Sequence, residues 1–281
     1  MQVFVKEKTL KKRISYLKSK GKTVGFVPTM GALHDGHMEL IKASKKKSDI
    51  TVCSIFVNPT QFNNKEDLIK YPRTFERDKE LLKNEGVDII FYPTAEVVYP
   101  KGLDLSVDID LEGLDTIWEG EFRPGHFKGV VQVVKRLLDL VDPDYLFMGQ
   151  KDFQQFTIIS MMLKKLKIST ELVVVPIHRE KSGLAMSSRN VRLTEKFKTK
   201  SLVLSRMLRY IKDNYRFDKI DEIRQYALNE IIKEGLKPEY FGIVNGNTLQ
   251  EVKSRKEKYI IAVVAAWAGE IRLIDNIIIS K

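Results

Sequence analysis

The sequence predicts an α/β protein: a parallel sheet covered by helices on both faces, followed by a smaller α+β unit. Three observations carry this reading. Up to about residue 176, short apolar runs alternate with amphipathic helical segments. Those runs are almost continuously apolar, as expected for strands buried on both faces. After the loop "IHREKSGLAMSSRNVRL" the order changes to two helical segments and then three apolar runs with tight connections.

Taken in order, "TVGFVP" reads as a strand that runs through a Gly/His turn into a helix from about Gly36 to Lys47. "DITVCSIFVN" is a second strand, and "TFERDKELLKNEG" is a helix stopped by Gly86 at its C-cap. "VDIIFYP" is a third strand. In "HFKGVVQVVKRLLDLV", Phe127, Val130, Val131, Val134, Leu137, Leu138 and Val141 recur at helical spacing and predict one buried face. "DYLFMG" is a strand, "DFQQFTIISMMLKKL" a helix and "TELVVVP" a strand. Two helices follow, over about Glu195–Tyr215 and Lys219–Glu234. The apolar runs "YFGIV", "YIIAVVAAW" and "IRLIDNIII" then suggest an antiparallel hairpin sheet, turning at "NGNT" and "AGE". The expected domains are residues 1–188 and 189–281.

Bulk properties exclude several classes. With 43% hydrophobic and 30% charged residues in 281, the chain can build ordinary globular cores. No apolar run approaches a membrane span, and the start lacks the pattern of a signal peptide, so no membrane association and a cytoplasmic location are expected. The single cysteine, Cys53, lies in a strand and reads as a packing residue. The net charge of +11 is dispersed: the longest basic runs are three residues, and 18 basic and 12 acidic residues fall from Asn190 onward. A nucleic-acid binder would cluster its basic residues, so no nucleic-acid partner is expected. A basic surface does favour small anions.

In an open parallel sheet, ligands bind at the carboxyl ends of strands, and four segments follow predicted strands. In "PTMGALHDGH", Gly31 and Gly36 permit close backbone approach, and a helix N-terminus with His34 and His37 suits phosphate. The same turn can be read as a plain loop with His37 as the helix N-cap. In "FVNPTQF", Asn58 and Gln61 are amides able to read hydroxyls or carboxylates, or they form a turn about Pro59. In "MGQKDFQQ", Gly149 allows close approach and Lys151 brings charge. Asp152 bonds a ribose or caps the next helix, and Gln155 lies one helical turn past Lys151. "MSSRN" gives two hydroxyls and Arg189 for phosphate, behind a flexible "REKSGLA". "EGEFRPGHF" adds Arg123 and His126, or is a rigid Pro-Gly turn.

Together "PTMGALHDGH", "FVNPTQF", "YPRT", "RPGHF", "GQKDFQQ", "GLAMSSRN" and "RLIDN" come in one order across nearly the whole chain. In this they resemble the pantoate–β-alanine ligase family. The resemblance implies a Rossmann-like N-terminal domain, a smaller C-terminal lid domain and a homodimer. It implies two half-reactions: pantoate and ATP give pantoyl-adenylate and pyrophosphate, and β-alanine then displaces AMP to give pantothenate. By the same resemblance Met30, Gly31, Ala32, Leu33, His34, Asp35, Gly36 and His37 line the ATP site. His34 and His37 contact phosphates, with His37 the proton donor. Gly149, Gln150, Lys151 and Asp152 also bind ATP, Lys151 through phosphate and Asp152 on the ribose side. The His178 backbone lies at the adenine, and Met186, Ser187, Ser188 and Arg189 close over the phosphates. Gln61 and Gln155 hold pantoate, Gln61 also lies near β-alanine, and Mg²⁺ accompanies ATP with Asp78 approaching it.

The sequence departs from the family pattern in three places. "NNKED" follows "NPTQF" where Gly-Pro is frequent, His178 replaces an aliphatic residue, and Trp118 precedes the "EG" before "RPGH". Within enzymes, the competing reading is another nucleotidyltransferase of the "HIGH" type, whose signature "HDGH" resembles and which would leave the nucleotide on its product.

Overall fold

The computed structural model describes residues 1–62, 65–100, 102, 107 and 109–280. Asn63 and Asn64 of the "NNKED" departure lie outside them. Two compact units are formed, one from Met1–Gly149 with Gln155–Pro176, the other from Gln150–Gln154 with Ile177–Lys281. The second unit takes in the turn after Gly149 together with the chain from Ile177 onward. The segment ahead of Arg189 is folded rather than free, because Arg179 bridges Ala185 and the Met186 N–H donates to the His178 carbonyl at 3.1 Å.

The first unit contains strands β1 (Gln2–Phe4), β2 (Val24–Thr29), β3 (Ile50–Ile55), β4 (Ile89–Phe91), β5 (Tyr145–Gly149) and β6 (Glu171–Val175). They pair in parallel in the order β1-β4-β3-β2-β5-β6. Its helices are α1 (Glu7–Ser19), α2 (Asp35–Lys47), α3 (Lys65–Lys70), α4 (Phe75–Asn84), α5 (Ala95–Val98), α6 (Glu119–Phe122) and α7 (His126–Val141), followed by α8 (Phe153–Lys165). Phe26, Val52, Ile90 and Leu146 on the central strands are fully buried, as continuous apolar runs require. All seven apolar positions singled out on α7 are buried, but so are Val133 and Leu140, so the helix is covered over more than one stripe. The edge strands β1 and β6 are only partly buried.

At the amino ends of the strands, three aspartates set the alignment. Asp49, just before β3, accepts the Thr23 N–H at 2.9 Å, and Asp88, just before β4, accepts the Thr51 N–H at 2.9 Å. Asp144, just before β5, accepts the Val24 N–H at 2.7 Å. Each carboxylate thus closes the ladder at a point where the neighbouring strand begins and its amide lacks a strand partner.

The second unit contains α9 (Glu195–Asn214), α10 (Ile220–Lys233) and an antiparallel sheet β7-β8-β9 (Lys237–Asn245, Ile260–Ala268, Ile271–Ser280). Its core joins Leu204, Leu208, Ile211, Ala227 and Ile231 of the helices to Ile243, Val264 and Leu273 of the sheet. The expected hairpin arrangement is present, with Gly269 (φ +62°) in the β8–β9 turn. Among the described residues no helix is long and apolar enough to cross a membrane.

Two solution properties follow from this unit architecture. Asp49 is held from its ordinary 3.8 down to about 2, first by the Thr23 amide and hydroxyl and then by Lys22. Between those values the unfolded chain binds the extra proton, so this contribution is complete above pH 4 and is lost as pH falls toward 2. Thermal melts from pH 5 to 2 should show a shallower acid limb for Asp49→Asn than for the parent; parallel limbs would exclude the effect. Cys53 is fully buried, and burial pushes its thiol up to about 12. A thiol reagent at pH 8 should therefore label no cysteine until denaturant unfolds the protein, and rapid labelling of the native chain would contradict this.

Candidate functional site

The central strand β2 pairs with β3 on one side and β5 on the other, so the chain leaves the sheet in opposite directions around it. Such a switch point opens a crevice at the carboxyl ends of the strands. The turn Met30–His34 that leads from β2 into α2 lies there, and Gly149 ends the adjacent β5. Gly31 (φ +83°) and Ala32 (φ +50°) both take left-handed backbone, a conformation costly for alanine.

What holds that backbone is Asp78. Its carboxylate is fully buried in the first part of α4 and accepts the Ala32 N–H (2.9 Å, Oδ2) and the Leu33 N–H (2.9 Å, Oδ1). The Thr74 hydroxyl donates to Oδ2 at 3.1 Å, and the N-terminal end of α4 favours the negative charge. Gly31 itself is held by the Thr29 hydroxyl, which in turn donates to the Ser54 carbonyl of β3. Gly31 also has little room: a Cβ there would lie 3.1 Å from Asp78 Oδ2. Both oxygens of Asp78, the residue expected to approach Mg²⁺, thus accept hydrogen bonds from the turn. Among the described residues no group of three or more His, Cys, Asp or Glu is placed to hold a metal ion.

The two histidines form a unit. His34, in extended backbone, is the N-cap of α2, and the helix starts at Asp35; the alternative of His37 as N-cap is therefore corrected. His37 is the third helical residue, and its Nδ1 accepts the His34 N–H at 3.3 Å. With Nδ1 an acceptor, the neutral ring carries its proton on Nε2 and donates from there. The rings lie 4.1 Å apart between centroids.

A second network orients Gln61. Residues Pro59–Gln61 make a 3₁₀ turn capped by Asn58, whose Oδ1 accepts from Thr60 N–H, the Thr60 hydroxyl and the Tyr99 hydroxyl. Asn58 Nδ2 donates to Gln61 Oε1 at 3.2 Å and to the Gly129 carbonyl at 3.2 Å, and Gln61 Nε2 donates to Met30 Sδ. So Asn58 is spent on the turn, while Gln61 is brought to Met30 of the β2–α2 turn. His126, the first residue of α7, donates from Nδ1 to the Gln61 carbonyl at 2.7 Å; a carbonyl only accepts, which fixes the tautomer. Gly129 lets α7 press onto this turn, since a Cβ there would lie 2.4 Å from the Thr60 carbonyl oxygen. Gln155 is on α8, partly buried, in this same unit. Trp118 has positive φ (+48°) and precedes α6.

The second unit gathers the remaining candidates into two segments. Gln150, Lys151 and Asp152 form the turn before α8, with Lys151 Nζ 3.9 Å from Asp152 Oδ1. His178 to Met186 fold into a tight hairpin, leading to Ser187, Ser188 and Arg189. Ser187 Oγ accepts the Arg189 N–H at 3.3 Å. Asn190, buried behind them, donates to Glu180 Oε1 (2.7 Å) and to the Ala185 carbonyl (3.0 Å), fastening the hairpin. Arg179 makes a bidentate pair with Asp275 of β9 at 2.6 and 2.9 Å. Burial raises the Asp275 carboxyl above its ordinary value, against the pull of Arg179. "RLIDN" was among the motifs quoted from the sequence, but neither Asp275 nor Asn276, nor Arg179, received a role there. The available signal was "RLIDN", in which a charge and an amide interrupt an apolar strand.

These features define a Rossmann-like α/β protein whose candidate loops follow the strand carboxyl ends, with a separate antiparallel unit. The model of the pantoate-beta-alanine ligase family matches residues 2–278. A pantothenate synthetase of Aliivibrio fischeri is 43% identical over 99% of this chain and 96% of that protein. One of Bacteroides thetaiotaomicron is 44% identical over 99% and 98%. The crystal structure of pantothenate synthetase from Thermus thermophilus superposes with a TM-score of 0.92 at 36% identity over the full length of both chains. A Francisella tularensis pantoate-beta-alanine ligase, solved with beta-gamma ATP and beta-alanine, gives a TM-score of 0.82 at 36% identity, covering 99% and 98%. The chain belongs to the pantoate–β-alanine ligase family.

The Asp78 clamp can be measured directly. In Asp78→Asn an NH₂ group replaces one acceptor and faces a backbone N–H, leaving a buried donor unpaired. Denaturant titration should give a loss of about 1–3 kcal/mol. A change below about 0.5 kcal/mol would mean the turn does not depend on this carboxylate.

Proposed function

We propose that this chain condenses pantoate with β-alanine, using ATP and releasing AMP and pyrophosphate. The observation that carries the reading is the clamped turn between β2 and α2, which presents a helix start and two imidazoles at the switch point. In the first half-reaction a pantoate carboxylate oxygen attacks the α-phosphorus of ATP. An oxygen–phosphorus bond forms, the bond to pyrophosphate breaks, and a pantoyl-adenylate results. In the second, the β-alanine amine attacks the acyl carbon, loses a proton and expels AMP.

Both steps build charge on phosphate or acyl oxygens, so positioned donors do most of the catalytic work. In this reading His34 and His37 meet the phosphates, with His37 donating from Nε2 because its Nδ1 is engaged. The turn from Met30 to His37, together with Gly149 to Asp152, holds ATP; Lys151 supplies a cation to phosphate, and Asp152 lies on the ribose side. Gln61 and Gln155 hold pantoate, and Gln61 receives β-alanine; the network from Tyr99 through Asn58 supports its orientation. The backbone at His178 serves the adenine side, and Met186 to Arg189 close over the phosphates, with the second unit as the lid domain. Mg²⁺ belongs to this reading as a component of the nucleotide substrate. A homodimer and a cytoplasmic location complete it, the former readable as twice the monomer mass in sedimentation equilibrium.

The protein is expected to catalyse ATP–pyrophosphate exchange only when pantoate is present, and to form AMP when β-alanine is added. Exchange without pantoate, or ADP as product, refutes the assignment. His37→Ala and Lys151→Ala should fold normally and lose roughly 10²- to 10³-fold in exchange rate. Parent-like exchange in either would remove that residue from its role.

A further inference from the structure

The segment "RLIDN" ends the run of motifs, yet none of its residues has a part in the chemistry above. Its asparagine has an unusually complete set of partners. Asn276 is 2% exposed on β9, an edge strand of the antiparallel sheet. Its Nδ2 donates to the Gln150 carbonyl at 3.0 Å and to the Lys151 carbonyl at 3.0 Å. Its Oδ1 accepts from Gln150 Nε2 at 3.0 Å. The amide orientation is forced, because a flip would set its oxygen against two carbonyl oxygens. All three bonds reach far along the sequence and end on the two residues that follow Gly149.

The preceding residue does parallel work on the other segment. Asp275, 4% exposed, takes the bidentate pair from Arg179 and also accepts the Asn276 N–H at 2.8 Å. Arg179 further donates to the Gly183 carbonyl at 3.2 Å, within the hairpin that leads to Ser187 and Arg189. Two adjacent residues of one strand therefore fasten the Gln150–Lys151 turn and the His178–Met186 hairpin.

We propose that Asn276 is a positioning residue of the enzyme: by holding the Gln150 and Lys151 carbonyls it sets the Lys151 ammonium where it meets the triphosphate. This rests on the reading of the Gly149–Asp152 turn as nucleotide-binding. Lys151 has a long flexible stem, and fixing its backbone directs that stem while leaving the ammonium donors for a ligand. An asparagine meets the need, since it offers two donors for two carbonyls and an acceptor for the Gln150 side chain within one short planar group. Aspartate has the same shape but opposes two carbonyl oxygens with oxygens of its own.

The test compares Asn276→Asp, Asn276→Ala, Lys151→Ala and the double variant Lys151→Ala/Asn276→Asp in pantoate-dependent ATP–pyrophosphate exchange, with melting temperatures alongside. Asn276→Asp should lower kcat roughly 10²-fold, the cost of a misplaced group, while the KM for pantoate stays within about twofold. The double variant should be no slower than Lys151→Ala beyond about threefold, because both changes disable one group. In Asn276→Ala, amide hydrogen exchange at Gln150–Gln154 should quicken. If Lys151→Ala exchanges as fast as the parent, the nucleotide reading of the turn fails. If Lys151→Ala is slow but Asn276→Asp is parent-like, or if the losses multiply in the double variant, the positioning role alone is overturned. Unfolding of both Asn276 variants would overturn it too, by making the residue one of folding rather than placement.

Discussion

The structure around the candidate site depends on one buried carboxylate. The β2–α2 turn needs left-handed backbone at Gly31 and at Ala32, and alanine does not adopt it without support. Asp78 supplies that support by binding two consecutive amides from a helix 46 positions along the chain. Once Ala32 and Leu33 are held, His34 falls at the N-cap and His37 at the third helical position, and the bond from the His34 amide fixes the ring. The tautomer of a proposed catalytic histidine is thus decided by a chain of backbone bonds that begins at a carboxylate on another helix. A full negative charge is suited to this task, since its bonds to amides are stronger than neutral ones and the end of α4 favours it.

The same economy recurs within each unit: short polar side chains act on backbone, and the long or ionic ones they hold in place are the candidates for contact with ligand. Asn58 spends both ends of its amide on the Pro59–Gln61 turn and on α7, and leaves Gln61 beside Met30. Asn190 closes the hairpin ahead of Arg189, and Asn276 closes the turn that carries Lys151. These three buried asparagines each join two separate groups at once, which no aliphatic residue of that size could do.

Much of the architecture was legible because its signals are periodic and local. The seven apolar positions of α7, the continuous runs of β2 and β3, and the change of order after residue 189 all report burial directly. The Gly-rich turn with two histidines was legible as well, since few structural needs call for that composition at a strand end. What was missed has a common cause in distance along the chain. The bonds from Asp78 to Ala32 and Leu33 join positions more than 40 residues apart, and only the fold reveals them. Asn276 and Arg179 gain their meaning from partners far away in the sequence. β1 is three residues long, too short for any period to register, and its place is set by pairing with β4.

The three aspartates that precede β3, β4 and β5 have a consequence for how such a sheet can change over evolutionary time. They align the strands from the end opposite the ligand loops, each through one carboxylate and one amide. Strand alignment is therefore secured independently of whatever sequence follows each strand. Loops at the far end can be lengthened, shortened or rewritten for a new ligand without shifting the ladder beneath them. Selection can act on recognition there while the frame is inherited intact.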